Sequence, residues 1–395
     1  MERPVPVNLV VETTLPSDRA KAVLAGRVWR PDVSGPSVVT IRNDRVLDVS
    51  AAFATSRDLC EAADPAGELA AAEGDDIGAL ADILANTPPD GRDATKPWLL
   101  SPIDLQAVKA AGVTFPISTL ERVVEEQAKG APEKAASFRA EIATTIGADL
   151  AALKPGSEEA AALKRVLVGK GLWSQYLEVG IGPDAEVFTK TQAMASVGSG
   201  SDVGIHPIST WNNPEPEMVV VVSSAGRIVG ATLGNDVNLR DVEGRSALLL
   251  SKAKDNTASA SVGPFIRLFD EGFTLDDVRK AAVTLEVVGE DGFKLGGVSH
   301  MEQIARDPED LVGQTIGRNH QYPDGFVLYL GTMFAPIEDR DTPGEGFTHK
   351  VGDVVTIATP TLGALVNRVV RCPDAERWSF GAGHLMRNLA ARGLL

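Results

Sequence analysis

The chain has 395 residues, 44% hydrophobic and 23% charged, the composition of an ordinary globular protein and not of a disordered or fibrous one. Its 38 basic residues against 54 acidic ones give a formal net charge of -16, which argues against nucleic acid or another polyanion as the main partner. The opening run MERPVPVNLVVETTLPSDRA has no basic region leading into an apolar one, and no stretch approaches the roughly 20 apolar residues that span a bilayer. Neither a signal peptide nor a membrane anchor is therefore expected, and Cys60 and Cys372, far apart and without metal-ligand spacing, suit structural thiols in a reducing cytoplasm.

In chain order, NLVVETT and SVVTIRNDRVLDVS are short β-branched runs separated by the turn formers RPDVSGP, so residues 1 to about 50 predict a small β-rich unit. RDLCEAADPAGELAAAEGDDIGALADILANT reads as helical with an interruption at Pro65, and PPDGRDATKP, residues 88–97, reads as a linker. These segments predict an N-terminal α+β domain over residues 1–95 and a second domain over 96–395. Residues 118–171 then carry helical periodicity, broken at KGAPE and KPGSEE, and form a helical insertion. From about residue 184 the pattern is β, in AEVFTK, MVVVVS, RIVGATLG, TLEVVG, FVLYLGTMF and DVVTIATP, and the amphipathic WSFGAGHLMRNLAARGLL closes the chain. Periodicity alone therefore predicts a β-rich C-terminal two-thirds.

Within NNPEPEMVVVVSSAGRIVGATLGND, Glu215 and Glu217 are two positions apart and share one face of a strand that Pro216 marks as an edge or a start. A tight turn at Ala225 and Gly226 would return the chain with Asp236 opposite Glu215. Three carboxylates gathered without a compensating lysine repel one another and lose solvation, so a bound cation is the natural compensation. All-oxygen ligands and few protein carboxylates favour magnesium, with manganese as the substitute.

EPE before an apolar strand, then GATLGNDVNLRD, KAKDNTASASVGPF and GDVVTIATPTLG, resemble in order and spacing the fumarylacetoacetate hydrolase superfamily over roughly residues 98–366. The resemblance implies a fold of mixed β-sheets rolled around the site, with Glu215, Glu217 and Asp236 as ligands of a magnesium or manganese ion. It also implies Lys254, in KDNTAS, as the active-site lysine and Thr359, in the loop IATP, as a substrate carboxylate ligand. Lys190, in FTK, is a further substrate-binding candidate. The family's hydrolases carry a histidine and a glutamate on a mobile lid; the matching block GVTFPISTLERVVEE places Phe115, Ser118 and Glu121 at the tyrosine, histidine and glutamate positions, with Arg122 following.

The missing histidine removes half of the pair that activates water for carbon–carbon hydrolysis. The chain resembles instead the sugar-acid branch of the superfamily, the 2-keto-3-deoxy-pentonate dehydratases, which implies a magnesium-dependent hydro-lyase giving 2,5-dioxopentanoate and acting as a homodimer or homotetramer. On that reading Lys254 or Glu121 is the base, the ion's charge lowers the pKa of Lys254, Glu121 is the acid for the leaving hydroxyl, and Ser118 and Arg122 bind substrate beside Thr359 and Lys190. Two other readings share these residues: a hydrolase or decarboxylase of a 2,4-dioxo acid, and a ligand-binding protein without catalysis. Asn235, Arg240 and Asp241 are expected to hold the metal strand in place, and Glu178, His206 and His320 are expected to be structural or solvated.

Overall fold

Extended runs with buried residues on alternate or on both faces assemble into two sheets. The structure is a computed structural model and describes residues 5–129, 153–169, 171, 173–334, 336, 338–342 and 346–395. In chain order its strands begin with β1 (Leu24–Arg30), β2 (Gly35–Arg42), β3 (Arg45–Asp48), β4 (Asp75–Ala79), β5 (Trp98–Leu99), β6 (Ala107–Gly112), β7 (Glu186–Thr191) and β8 (Asp202–Ile205). They continue with β9 (Pro216–Val222), β10 (Ile228–Asp236), β11 (Ala260–Leu268), β12 (Ala282–Val288), β13 (Lys294–His300), β14 (Phe326–Tyr329), β15 (Val354–Thr359) and β16 (Gly363–Arg371). Among the described residues, an 11-stranded sheet runs β4-β3-β2-β1-β11-β10-β9-β14-β6-β7 with β5 on β1, and a 5-stranded sheet runs β13-β12-β15-β16-β8. Pairing is antiparallel except for β14 with β6 and β16 with β8, so the α+β, mixed-sheet class read from the sequence is the class observed.

The expected division at residue 95 falls inside a continuous sheet. β1 pairs directly with β11, Leu24 opposite Arg267. The terminal helix Ala382–Ala391 returns to the same N-terminal unit, Asn388 Nδ2 donating to the Val33 carbonyl at 2.8 Å and Arg392 Nη1 to that of Pro36 at 2.8 Å. Pro65 does interrupt a helix, standing at the start of Pro65–Ala71 where the Asp64 side chain accepts from Gly67 N at 3.0 Å. GDDIGA, in contrast, is not helical as expected: it forms the edge strand β4 on β3, a pairing between segments that local propensity does not register. Of the expected helical insertion, helices Pro116–Ala128 and Glu158–Gly169 are present, and residues 130–152 lie outside the described residues.

The valine run of β9 is apolar on both faces because both are covered. Met218, Val220 and Val222 pack in the core toward the smaller sheet, with Val283, Leu285, Ile357 and Leu365, while Val219 and Val221 pack on the opposite face with Val108, Ala110, Ile266 and Tyr329. The strand is thereby clamped from both sides, and Glu217 occupies the face that continues through Val219 and Val221.

Candidate active site

Sheet register brings the acids together. Asn235 lies opposite Pro216, and Asp236 N donates to the Glu215 carbonyl at 3.0 Å. The turn differs from the expected one: Ser223 N donates to the Arg227 carbonyl at 2.9 Å, so the loop is Ser224, Ala225 and Gly226. A bulge between Ile228 and Gly230 absorbs the offset and restores the pairing that sets Asp236 beside Glu215. Glu215, Glu217 and Asp236 are each 1% exposed, and one carboxylate oxygen from each lies within 4.8 Å of the others.

Cations already stand among the acids. Lys254 Nζ is ion-paired with Glu215 and lies 3.1 Å from Asp236 Oδ2; Lys190 Nζ lies 2.7 Å from Asp236 Oδ1; Arg122 is ion-paired with Glu215. The charge remains unevenly answered. Burial would raise Glu215, but Arg122 and Lys254 outweigh it and draw the carboxyl down to about 2. Glu217 is pushed far above the usual range by burial, Asp236 and Glu215. Its hydrogen bonds come from Gly331 N at 2.7 Å and Thr332 Oγ1 at 3.3 Å, and among the described residues no cationic side chain pairs with it. Gly331 is needed there, because its φ of 106° and a Thr114 Oγ1 only 1.9 Å from where a Cβ would stand exclude other residues. Three converging buried carboxylates, one retaining its proton for want of a cation, form a donor set that fits a hard divalent ion.

Without an ion, burial alone would lower Lys254, but Asp236, Glu215 and Glu243 hold the ammonium well above its ordinary value, so in the metal-free protein Lys254 is charged at neutral pH. Lys190 is fully buried behind Asp236, where it also donates to the carbonyls of Val237 at 3.1 Å and Lys254; the structure does not bring it to the cavity wall.

The cavity beside the acids measures about 10 Å³, roughly the room one water needs, and is lined by Ser118, Arg122, Glu186, Phe188, Glu243 and Thr332 together with the three acids and Lys254. Ser118 and Arg122 are one helical turn apart on Pro116–Ala128 and therefore share its inner face. Glu121 is not on that wall: its Oε2 stands 3.5 Å from Arg240 Nη2. Thr359 is likewise absent from it. The end of β15 meets the N-terminal segment, with the Pro360 carbonyl accepting from Ser17 N at 2.8 Å, and Thr359 Oγ1 lies 3.5 Å from Thr361 Oγ1.

Glu186 and Glu243 are cavity residues that sequence reasoning missed. Glu186 pairs in register with Gly112, and a Cβ at Gly112 would lie 2.0 Å from Glu186 Oε2, so glycine makes room for the carboxylate to fold into the cavity. Burial and then Glu243 push the Glu186 carboxyl up to about 7, against Arg122 and Lys254. A signal for it existed: Glu186, Phe188 and Lys190 alternate along one strand and share a face. Asn235 Oδ1 accepts from Glu215 N at 3.1 Å, and Asp241 accepts from Ser209 Oγ at 2.7 Å and Thr210 N at 2.9 Å. His206 instead pairs with Lys252 at 3.2 Å, His320 stacks edge-on against Tyr322, and Glu178 accepts from Trp173 Nε1 at 3.0 Å.

Residues 178–370 match the family described as fumarylacetoacetate (FAA) hydrolase C-terminal. The chain is 31% identical over 187 residues to the 2-dehydro-3-deoxy-D-arabinonate dehydratase of Saccharolobus solfataricus, aligning 47% of itself with 58% of that protein. It is 28% identical over 194 residues to the probable 2-keto-3-deoxyxylonate dehydratase of Haloferax volcanii, aligning 49% of itself with 63% of that protein. The chain thus spans less than two-thirds of either relative's length. A solved 2-keto-3-deoxy-D-arabinonate dehydratase in its apo form superposes with a TM-score of 0.62 at 20% identity, covering 88% of this chain and 99% of that one. A form described as complexed with magnesium and 2,5-dioxopentanoate superposes at 0.61, also at 20% identity and with the same coverage. At that identity the likeness establishes the fold.

Proposed function

Taking residues 178–370 as a fumarylacetoacetate hydrolase domain, we propose that the chain is a magnesium-dependent dehydratase of a 2-keto-3-deoxy-pentonate of the xylonate or arabinonate type, giving 2,5-dioxopentanoate and water. The observation that carries the reading is the conjunction of three buried carboxylates with two cations at a wall that, among the described residues, holds no histidine. Ser118 stands where the hydrolases have histidine, its Oγ donating to the Phe115 carbonyl at 2.8 Å, and Glu121 is turned to Arg240. The names of the two relatives support the same substrate class.

Glu215, Glu217 and Asp236 would hold the ion, which when bound supplies Lewis-acid stabilisation to the oxygens of a 2-oxo acid. The chain's own groups supply the rest. Arg122 and Lys254, both charged and both facing the cavity, bind and orient the substrate carboxylate. Glu186, with its carboxyl near neutral pH, takes a proton from carbon 3 and returns one to the hydroxyl leaving carbon 4. Water departs with that hydroxyl, and moving a proton from carbon 5 to carbon 3 gives an enol of the semialdehyde. In this scheme Glu121 helps to place the helix that carries Arg122, and Lys190 fixes Asp236 from behind. The same proposal carries a cytoplasmic homodimer or homotetramer, checked by light scattering; no helix among the described residues is long and apolar enough to cross a membrane.

The test is an assay coupled to a 2-oxoglutarate semialdehyde dehydrogenase over a panel of keto-deoxy acids, with magnesium and with chelator. Magnesium-dependent product from a keto-deoxy pentonate is expected. Turnover of fumarylpyruvate-like 2,4-dioxo acids alone would replace this reading with the hydrolase one.

A further inference from the structure

Arg122 faces two carboxylates at once. It is ion-paired with Glu215, and its Nη1 lies 3.0 Å from Glu243 Oε2 on the short helix Arg240–Glu243. One residue earlier on its own helix, Glu121 Oε2 stands 3.5 Å from Arg240 Nη2. The two helices therefore exchange charges reciprocally, and none of the four side chains is more than 10% exposed. Arg240 is anchored in turn, donating to the Pro336 carbonyl at 3.1 Å and lying 4.5 Å from the centroid of the Trp211 ring, against which Val124 and Ala128 of the longer helix also pack. Because Arg240–Glu243 follows closely on Asp236 in the chain, it ties the helix bearing Arg122 to the strand bearing the acids.

Resting on the function proposed above, in which Glu215 is shared with a divalent ion, we propose that Glu243 is a positioning residue for Arg122. A forked guanidinium divided between two buried carboxylates keeps its place when one of them is engaged elsewhere. Glu243 supplies that second hold and keeps Arg122 directed at the cavity, available to the carboxylate of a 2-oxo acid. With Glu243 neutralised, the guanidinium shifts toward Glu215, where it is withdrawn from the ligand. The effect of Glu243 then runs through Arg122, which separates this role from simple burial of a charge.

The experiment is a double-mutant cycle read by calorimetric binding of pyruvate, the smallest 2-oxo acid, to the full chain in saturating magnesium. Glu243→Gln is expected to weaken pyruvate binding about tenfold or more in the wild-type background and less than about twofold beside Arg122→Met. In turnover, the same variant is expected to raise KM in the wild-type background and to leave it within about twofold beside Arg122→Met, a dependence on Arg122 that a merely structural role does not produce. If Arg122→Met fails to fold by circular dichroism, Arg122→Lys takes its place, since an ammonium cannot fork across both acids and the penalty must shrink. An equal penalty in both backgrounds, unchanged affinity in Glu243→Gln, or no measurable pyruvate binding to the wild type overturns the proposal. An inactive wild type that nevertheless shows the coupling would overturn the dehydratase reading and leave the positioning role standing.

Discussion

Carboxylates gather around cations both at the surface of this molecule, as at Arg279, and inside it. Arg279, 31% exposed, reaches Asp307 at 2.7 Å, Asp276 at 2.8 Å and Glu309 at 2.7 Å, and these acids are 44%, 70% and 69% exposed. Inside, Lys254, Lys190 and Arg122 meet Glu215 and Asp236, with every one of these side chains less than a tenth exposed. At the surface water answers whatever charge the partners leave over, and Asp307 is simply lowered by its hydrogen bond to Arg279. In the interior only neighbours can answer, so the acids are driven apart: Glu215 falls to about 2 while Glu217 rises far above its ordinary value. Similar chemistry is thus screened by water in one place and left with an unanswered buried charge in the other.

The contrast breaks most sharply at Glu215. Glu215→Gln should abolish magnesium-dependent turnover, a loss of about a thousandfold or more if ion binding is removed outright. It should also leave Lys254 and Arg122 short of a buried partner at a cost of about 3–5 kcal/mol, read as a fall in denaturation midpoint. Full activity of that variant in chelator would remove the metal centre from the reading altogether.

Next in size is the proton on Glu217. Because its folded-state pKa is high, magnesium entering the metal-free protein near neutral pH should release a proton, and apparent affinity should rise with pH. Calorimetric enthalpy should therefore vary with the ionisation enthalpy of the buffer, and Glu217→Gln should remove that dependence along with most of the binding.

Glu186 gives a smaller, pH-shaped effect. Its carboxyl is raised from 4.5 to about 7 in the fold, so the folded state retains a proton that the unfolded chain has released. The stability of the metal-free protein should fall as pH rises from about 4.5 through about 7, and Glu186→Gln should flatten that slope in thermal melts. The same variant should lose the limb of the kcat/KM profile near pH 7. At the other extreme, Arg279→Ala should cost less than about 1 kcal/mol and leave turnover unchanged; a larger fall in melting midpoint would show that the surface cluster is more than solvated charge.

The sequence by itself determined those features that depend on spacing along one or two adjacent strands. Glu215 and Glu217 share a face because strand side chains alternate, and Asp236 returns beside Glu215 even though the turn at Ser224 to Gly226 was not the expected one, since the bulge near Val229 corrects the offset. The α+β class and the helix break at Pro65 were legible for the same local reason. Tertiary structure alone decided which further charges face the acids. Glu186 enters through the pairing of β7 with β6 and the space left by Gly112, and Glu243 through a helix packed against Pro116–Ala128. It also decided that the end of β15, at Pro360, meets the N-terminal segment and that the N-terminal strands continue the larger sheet through β1 and β11. Periodicity says which way a side chain points from its own strand; what stands in front of it is set by long-range pairing and by the burial that makes an unanswered charge costly.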